Sequence, residues 1–512
     1  MASTYMTPGV YIEEKNAFPG SAVAVETAVP VFIGYTAQAV RNGKSLLHVP
    51  TKVSSFAEYV EMFGGAFQPK FTVVKAAAGA KDTFKVGADD MSVTINDNNK
   101  LFFYNAIRLF YMNGGSNCYI LSVGTYEGKA SLEIDFNDFK GDGTPEKPSV
   151  FEILKKEFEP TLVVLPDLIS KGTDAYAIYQ LVLLHCQETQ SRFGIFDVAM
   201  GADERANAKD FREGIGTSAL NYGAAYYPWL KTSIVTPSEV NFQNLDIPLG
   251  GLSALLPADE KARVDEFLAI PSSAAAVAIV EDANKSAAEK APHITNIHQS
   301  LKASSISYVK ILEEVRSQIN LLPPSAALAG IYSLVDNTRG VWKSPANVSV
   351  GSVNAPSLNI SSEEQQQLNV DAISGKSINV IRPFPGIGTL VWGARTLDGN
   401  SQDWRYINVR RTLIMIEQSL KLATRTYVFE ANDAGTWVTI SSMMNNFLYN
   451  LWKQGALAGA APEQAYSVSI GLGSTMTPTD ILDGIMRITV KVAIVRPAEF
   501  IVITFQQQQQ QA

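Results

Sequence analysis

The sequence predicts a multidomain protein of the mixed α/β (α+β) class. A chain of 512 residues is too long for one simple core. Residues 161–166, 174–190 and 193–200 follow the order strand, helix, strand, which is typical of a sheet covered by helices. The last third predicts two amphipathic helices followed by strands. We therefore expect helices and sheets to be combined in more than one domain.

The first two thirds of the chain contain short apolar segments separated by turns. Residues 75–100 are polar and weakly patterned, as expected of an insertion or surface lobe, and residues 346–367 resemble a connection between domains. In chain order, the other predicted elements are a strand at 21–34, helices at 54–63 and 101–112, a strand at 118–123 and one helix at 297–319.

The last third has the clearest periodicity. Apolar residues recur at spacings of 3 and 4 across residues 408–427, which predicts an amphipathic helix, and residues 436–454 show a second such stripe before Gly455. Residues 466–470 and 488–494 alternate apolar and polar side chains. Alternation predicts strands with one covered face.

Both ends of the chain contain strand-like segments without an obvious partner. Residues 7–14 combine a Pro-Gly turn with a short β-prone run, which is either a frayed terminus or an arm that pairs elsewhere. Residues 500–505 are apolar on both faces. Such a strand is either central in its own sheet or paired with another molecule, because an exposed apolar edge invites aggregation. The glutamine run at 506–511 predicts disorder.

Composition excludes several classes of protein. The net charge of −8 argues against a nucleic-acid binder that relies on phosphate contacts. The two cysteines, Cys118 and Cys186, cannot form a disulfide framework, which favours synthesis in a reducing compartment. We expect no secretory signal, and the apolar runs are far shorter than a membrane span.

The sequence predicts no catalytic, cofactor or metal site. His293 and His298 are five residues apart, which misses the helical spacing of a metal pair, and His185 and Cys186 point in different directions on a helix. His48 has no such neighbour. The glycines of residues 386–393 are wrongly spaced for a dinucleotide fingerprint. We therefore expect a protein that is not an enzyme.

Several segments resemble the contractile tail sheath family of myophages, R-type bacteriocin particles and extracellular contractile injection systems. They occur in the family's order across nearly the whole chain, and the last third is most similar to the injection-particle branch. The polyglutamine tail departs from the family pattern. The similar segments are TPGVYIEE (7–14), VSSFAEYVEMFGG (53–65), FYMNGGSNCYILSV (110–123), YYPWL (226–230), LPPSAALAGIYSLVDNTRGVWKSPAN (322–347), VWGARTL (391–397), DWRYINVRR (403–411), YVFEAND (427–433) and RPAEFIVITF (496–505).

The resemblance implies a sheath subunit with an inner domain built from the amino-terminal segment and the carboxyl-terminal third. It also implies outer α/β lobes and two extended arms that add strands to neighbouring subunits. The implied divisions are an amino-terminal arm (1–20), outer domains (21–360) with the insertion near 75–100, an inner domain (361–497), and a carboxyl-terminal arm with the polyglutamine tail (498–512).

The resemblance also assigns expected roles to individual residues. Asn16, Pro19 and Gly20 form the expected hinge of the first arm. Arg410, Arg411, Lys421 and Arg425, on the basic face of the helix predicted over 408–427, are candidate contacts to an inner tube or another subunit, and the alternative is a role inside the chain. The strands of the two arms are expected at Val10, Tyr11, Ile12, Glu13, Phe500, Ile501, Val502, Ile503, Thr504 and Phe505.

The implied function is structural. Subunits would polymerise helically around an inner tube and contract from a metastable extended state, driving the tube through a target membrane. The implied partners are other copies or sheath paralogues, the inner tube, the baseplate and a terminal cap, with no nucleic acid and no direct membrane insertion. Assembly would take place in the bacterial cytoplasm, and the particle would work in a phage tail or after release.

Two alternatives come from other classes. An enzyme with an unrecognised α/β site would show turnover as an isolated monomer. A non-contractile shell, filament or adhesive protein would form filaments of a single fixed length under acid or denaturant stress.

Overall fold

The structure is a computed structural model that describes residues 22–77, 82–95, 100–129, 131–201, 203–204, 206–282 and 284–502. These residues form two compact units. The larger unit is Glu26–Arg410, and the smaller unit combines residues 22–25 with residues 411–502.

The compact units divide at a different residue from the predicted domains. Residues 361–410 lie in the larger unit, because two strands within them extend its main sheet. Which parts of the chain face the inside or the outside of an assembly stays a prediction.

The larger unit contains seventeen strands among the described residues. They are β1 (Pro30–Thr36), β2 (Val40–Arg41), β3 (Lys44–Ser45), β4 (Thr51–Val53), β5 (Phe71–Lys75), β6 (Phe84–Val86), β7 (Asp89–Ile95), β8 (Cys118–Thr125), β9 (Leu162–Val164), β10 (Phe193–Asp197), β11 (Gly223–Tyr227), β12 (Leu230–Thr232), β13 (Leu321–Leu322), β14 (Val348–Ser349), β15 (Val353–Pro356), β16 (Asn379–Phe384) and β17 (Gly388–Val391).

Its helices surround these strands. They are α1 (Phe56–Phe63), α2 (Phe103–Met112), α3 (Asn137–Lys140), α4 (Val150–Leu154), α5 (Tyr176–Thr189), α6 (Asn207–Gly214), α7 (Ala258–Ala269), α8 (Pro271–Glu281), α9 (Ala287–Ser304), α10 (Ile306–Ile319), α11 (Ser325–Arg339) and α12 (Ser362–Asn369).

Nine of the strands form one sheet in the order β14-β17-β16-β11-β10-β9-β1-β8-β4. The central strands, from β16 to β8, run parallel, and β4, β17 and β14 pair antiparallel at the two edges. Strands β1, β9, β10 and β11 are buried along their whole length, as expected of parallel strands covered on both faces. The mixed α/β class and the β9-α5-β10 unit are therefore confirmed.

Close packing of α2 on β1 depends on one glycine. A Cβ atom at Gly34 would lie 2.3 Å from the Phe103 ring, so a side chain there would force the helix away from the sheet. The predicted strand at 21–34 is corrected here, because β1 begins at Pro30 and continues past Gly34 to Thr36.

Two other predictions about local structure are corrected, and the prediction of an insertion or surface lobe at 75–100 stays a prediction. Part of the polar segment 75–100 forms β6 and β7, which complete a sheet in the order β5-β7-β6. The connection at 346–367 includes β14, β15 and the start of α12. The single helix at 297–319 is two helices, because Ser305 is extended and accepts a hydrogen bond from the Tyr308 N–H at 2.9 Å as the cap of α10.

The smaller unit contains the remaining elements. Helix α13 (Ile407–Thr424) begins in the larger unit and continues into the smaller one, where it is followed by α14 (Ala434–Lys453), α15 (Pro462–Ala465), β18 (Tyr466–Ile470), α16 (Pro478–Leu482) and β19 (Ile488–Val492). Both predicted helices of the last third are therefore confirmed.

The caps of α14 explain where the helix begins and ends. Asp433 accepts a hydrogen bond from the Thr436 N–H at 2.9 Å at the start, and Gly455 has a φ of 82° just beyond the end. Ile440 and Phe447 lie on its buried side. Among the helices that the structure describes, none combines the length and apolar character that a membrane span requires.

Candidate strand-exchange site

The smaller unit contains an antiparallel ribbon of two strands, β18 and β19. Val468 lies opposite Val490, and the other pairs follow in register without a bulge. Thr489 and Lys491 are exposed, whereas Ile488, Val490 and Val492 are half-buried, so the predicted alternation is confirmed. Helix α14 packs against β18.

The hydrogen-bond pattern shows which main-chain groups the ribbon leaves available. The Ala493 N–H donates to the Ala465 carbonyl at 2.8 Å, directly beyond the ribbon. Hydrogen-bonded and non-hydrogen-bonded pairs alternate in an antiparallel sheet. The main-chain groups of Val468 and Val490 therefore point away from the ribbon. In the part of the chain that the structure describes, neither strand pairs with a third strand.

Beyond β19, the carboxyl-terminal segment contains three consecutive exposed apolar residues. The Val495 N–H donates to the Ala456 carbonyl at 3.2 Å. Further on, Phe500, Ile501 and Val502 are 70%, 79% and 88% exposed and lie outside any helix or strand. A run of three exposed apolar side chains is unfavourable in water. This segment is therefore suited to cover by another surface.

The rest of the predicted arms lies outside the described residues. For the carboxyl-terminal arm this applies to Ile503, Thr504 and Phe505. The strand and hinge roles of these positions stay predictions. On the amino-terminal side the same is true of Val10, Tyr11, Ile12, Glu13, Asn16, Pro19 and Gly20.

The four predicted basic contact residues fall into two pairs. Arg410 is buried in the larger unit, where its guanidinium lies 4.3 Å from the centre of the Tyr222 ring and donates to the Tyr222 hydroxyl at 2.7 Å. Arg411 is buried as well, whereas Lys421 and Arg425 are exposed near the end of α13. Burial gives Arg410 and Arg411 contacts inside the chain, and a contact of Lys421 and Arg425 with a partner stays a prediction.

Sequence periodicity did not indicate several exposed apolar residues of the smaller unit. Phe429 is fully exposed and has a φ of 73°, which is uncommon for a bulky side chain. Leu482 is 86% exposed, and Leu472 is half exposed beside a small cavity. No pattern in the sequence distinguishes these residues from core residues.

Two buried carboxylates lie near the carboxyl ends of parallel strands, where α/β proteins commonly bind ligands. Asp167 accepts hydrogen bonds from the N–H groups of Phe102 and Phe103 at 2.7 and 2.9 Å, and Asp197 accepts from the Ser325 N–H at 2.7 Å. Burial raises the pKa of Asp167 to about 6 and that of Asp197 to about 7. Their observed partners are the first turns of α2 and α11.

The histidines and cysteines have no arrangement suited to nucleophilic or metal chemistry in the part of the chain described. The His185 Nε2 lies 2.5 Å from an Arg192 nitrogen, and burial beside Arg192 lowers the pKa of His185 to about 3. Neutral His185 therefore accepts a hydrogen bond from the guanidinium. Burial raises the pKa of both Cys118 and Cys186 to about 12, which makes them unreactive thiols.

Comparison with known proteins identifies relatives of this domain. The family model described as the phage tail sheath C-terminal domain matches residues 400–508, which include the ribbon and the exposed segment. The tail sheath protein of Vibrio phage KVP40 is 24% identical over 162 residues. That alignment covers 32% of this chain and 23% of the phage protein, so the chain spans about a quarter of this curated relative.

Two solved structures are similar over the whole chain. One is from the PVC sheath complex of an extracellular contractile injection system in the contracted state, with 27% identity, a TM-score of 0.61 and coverage of 99% of both chains. The other is from the helical sheath of the anti-feeding prophage in the contracted state, with 27% identity, a TM-score of 0.61, and coverage of 99% of this chain and 100% of that one.

The match to the sheath C-terminal domain and the whole-length similarity to two sheath chains agree with each other. Both comparisons point to contractile tail sheath proteins as the family that this chain resembles.

Proposed function

We propose that this chain is the repeating structural subunit of a contractile sheath. Copies polymerise helically around an inner tube and shorten from a metastable extended state, which drives the tube through a target membrane. The observation that supports this most directly is the smaller unit, where a ribbon that pairs with no third strand among the described residues occurs in the same domain as an exposed apolar segment.

The edges of the ribbon and the exposed apolar segment complement each other physically. An open strand edge offers unpaired N–H and C=O groups, and an extended segment from another copy can satisfy them. The resemblance assigns the two arms to this task. Exchange of strands between copies joins the lattice through main-chain hydrogen bonds, so the subunits can rotate without separating.

Contraction of such a lattice needs no nucleotide. At about 25 cal/mol per Å², burial of a few hundred further Å² between outer lobes favours the shorter state by several kcal/mol per subunit, before costs. A kinetic barrier holds the extended state until a trigger acts.

The proposed partners follow from this role. They are other copies of the chain, the inner tube, the baseplate that triggers contraction and a terminal cap. Lys421 and Arg425 are the proposed tube contacts, because they are the exposed pair of the predicted set. Assembly takes place in the bacterial cytoplasm, and the sheath acts in a phage tail or a phage-tail-like particle.

The proposal is tested by expressing the chain with its tube protein and imaging the product by electron microscopy. We expect tubes with two lengths, long and narrow before triggering by acid or denaturant and short and wide afterwards. Tubes of one fixed length under all conditions would instead identify a non-contractile shell.

Deletion of residues 1–20 tests the arms separately. We expect a folded chain that no longer forms ordered sheaths, because the deleted arm supplies a strand to a neighbour. Ordered, contractile sheaths from the deleted chain would contradict the strand-exchange proposal.

A further inference from the structure

A cavity lies at the end of the ribbon where Ile470 pairs with Ile488, which is the end farther from Val492. The loop after β18 folds onto itself, with the Met476 N–H donating to the Gly471 carbonyl at 3.1 Å. The Thr475 hydroxyl donates to the Arg487 carbonyl at 2.6 Å, which fixes the loop beside the start of β19. An open cavity of about 440 Å³ is lined by residues 472–478.

The lining of the cavity is more apolar than polar, and Ser474, Thr475 and Thr477 also contribute to it. Leu472 is 52% exposed, Met476 is buried, and Pro478 adds a rigid apolar ring. The flexible thioether of a methionine makes favourable contacts with aromatic rings. An aromatic occupant would cover Leu472 and contact Met476, so the cavity favours a phenyl ring over a polar group.

The exposed carboxyl-terminal segment carries such a ring at Phe500, which is 70% exposed. In its own chain this ring does not line the cavity. From Ile488 to Val495 the chain extends away from the cavity by about 23 Å at 3.3 Å per residue. From Val495 to Phe500, five residues reach at most about 18 Å. Only a fully extended return of the chain would bring the ring back to the cavity, so a second copy is the simpler source of it.

We propose that the cavity formed by residues 472–478 binds the Phe500 side chain of a second copy of this chain. The proposal rests on the proposed sheath function and adds a specific anchor to it. A strand that is apolar on both faces can slip along an edge, and a slip of one residue turns every side chain to the other face. One aromatic ring held in a cavity fixes the register of the incoming strand.

Cysteine cross-linking between two different chains tests the contact. One chain carries Phe500→Cys and the other carries Leu472→Cys, and they are assembled together with the tube protein and oxidised. The natural thiols, Cys118 and Cys186, are buried and do not compete. We expect a disulfide-linked dimer. A chain with Val438→Cys, 65% exposed on α14 and outside the cavity, replaces the Leu472→Cys chain as the matched control and should give little dimer.

The outcomes separate this proposal from the proposed function. If unmodified chains form contractile tubes but the Phe500→Cys and Leu472→Cys pair gives no more dimer than the control, the anchor is wrong and the sheath function stands. If unmodified chains form no tubes, the proposed function itself fails. Dimer formed within tubes, above the control, supports the anchor.

Substitutions of Phe500 measure the contribution of its ring to assembly. We expect Phe500→Ala to raise the protein concentration needed for half-maximal tube assembly about tenfold, because a buried aromatic side chain is lost. Phe500→Trp should retain most of the assembly, and Lys453→Ala on α14 should leave it unchanged. Equal assembly of Phe500→Ala and the unmodified chain would overturn the proposal.

Discussion

At the scale of single residues, the larger unit is held together by buried charged side chains that bond to the main chain. Arg192 donates to the Pro160 and Leu154 carbonyls at 3.1 and 2.7 Å and also bonds the Glu157 carbonyl. Its guanidinium thus joins the loop before β9 to the end of α4. These bonds connect residues more than thirty positions apart, so no local pattern in the sequence indicates them.

Replacement of this guanidinium should destabilise the larger unit. We expect Arg192→Met to lower the free energy of unfolding by about 3 kcal/mol, because three carbonyls lose a buried donor. Urea titration followed by tryptophan fluorescence measures the change. Lys209→Met, which removes an exposed ion pair with Glu213, should cost less than about 0.5 kcal/mol. Equal effects of the two substitutions would contradict the assigned role.

The pKa of Asp197 predicts a dependence of stability on pH. Its folded pKa is raised to about 7, whereas the unfolded value is about 3.9. Between these values the folded chain holds a proton that the unfolded chain releases. The contribution of Asp197 to the free energy of unfolding is therefore greatest at low pH and falls as the pH rises toward about 7. The fall is at most about 1.4 kcal/mol per pH unit.

Replacement of Asp197 by asparagine isolates this contribution. We expect the fall in unfolding free energy between pH 5 and pH 7 to be smaller in Asp197→Asn than in the unmodified chain. Urea titrations at pH 5, 6, 7 and 8 measure the difference. Asp265→Asn, at an exposed site on α7, should retain the slope of the unmodified chain. An identical slope in Asp197→Asn would show that the carboxyl does not titrate in this range.

At the scale of elements, the ribbon in the smaller unit is a stable but incomplete sheet. Two-stranded ribbons are marginal alone, and here β18 packs on α14 through its apolar face. Among residues 22–25 and 411–502, no third strand pairs with either of its edges. The ribbon can therefore be altered at an edge while its own pairing is kept.

Proline substitution at outward-pointing positions should block each edge selectively. The N–H of Val490 points away from β18, so Val490→Pro removes an edge donor while the ribbon remains paired. We expect this variant to remain folded and to lose ordered sheath assembly. Val468→Pro tests the β18 edge in the same way. Electron microscopy and near-UV circular dichroism measure assembly and folding.

A matched control separates the hydrogen bond from the side chain. Val490→Ala shortens the side chain and keeps the N–H, so it should assemble far better than Val490→Pro. If the proline and alanine variants assemble equally well, no strand is added at the β19 edge.

At the scale of the whole molecule, the chain combines a large unit with a mostly buried parallel sheet and a small unit with much exposed apolar surface. The two units differ in how their apolar surface is covered. The parallel strands of the large unit are covered within one copy. The exposed residues of the small unit, such as Phe429 and Phe500, have no such cover in one copy. We infer that the small unit is completed by assembly.

Two carboxyl-terminal truncations test this inference. Deletion of residues 498–512 should leave a soluble, folded monomer and abolish ordered sheaths, because the apolar arm is lost. Deletion of residues 506–512 removes the glutamine run and should leave assembly and contraction unchanged. Electron microscopy of the two truncated chains shows whether each forms ordered sheaths. Ordered sheaths from the longer deletion would show that the arm is dispensable.

The sequence by itself determined the elements whose signals are local. Helix α1 follows from the capping Ser55 and the terminating Gly64, and α13, α14 and the alternating β19 follow from their periodicity. The family resemblance rested on motifs in linear order, and the comparisons confirm it.

Only the tertiary structure decided features that join distant residues. The break at Ser305 depends on a contact with Glu260, and the polar segment at 75–100 becomes strands by pairing with β5. Arg410 was predicted at a surface and is buried against Tyr222. The cavity of residues 472–478 exists because a loop closes on Arg487. Periodicity records which face of a segment is apolar, but the neighbour that covers the face is chosen by the packing of the whole chain.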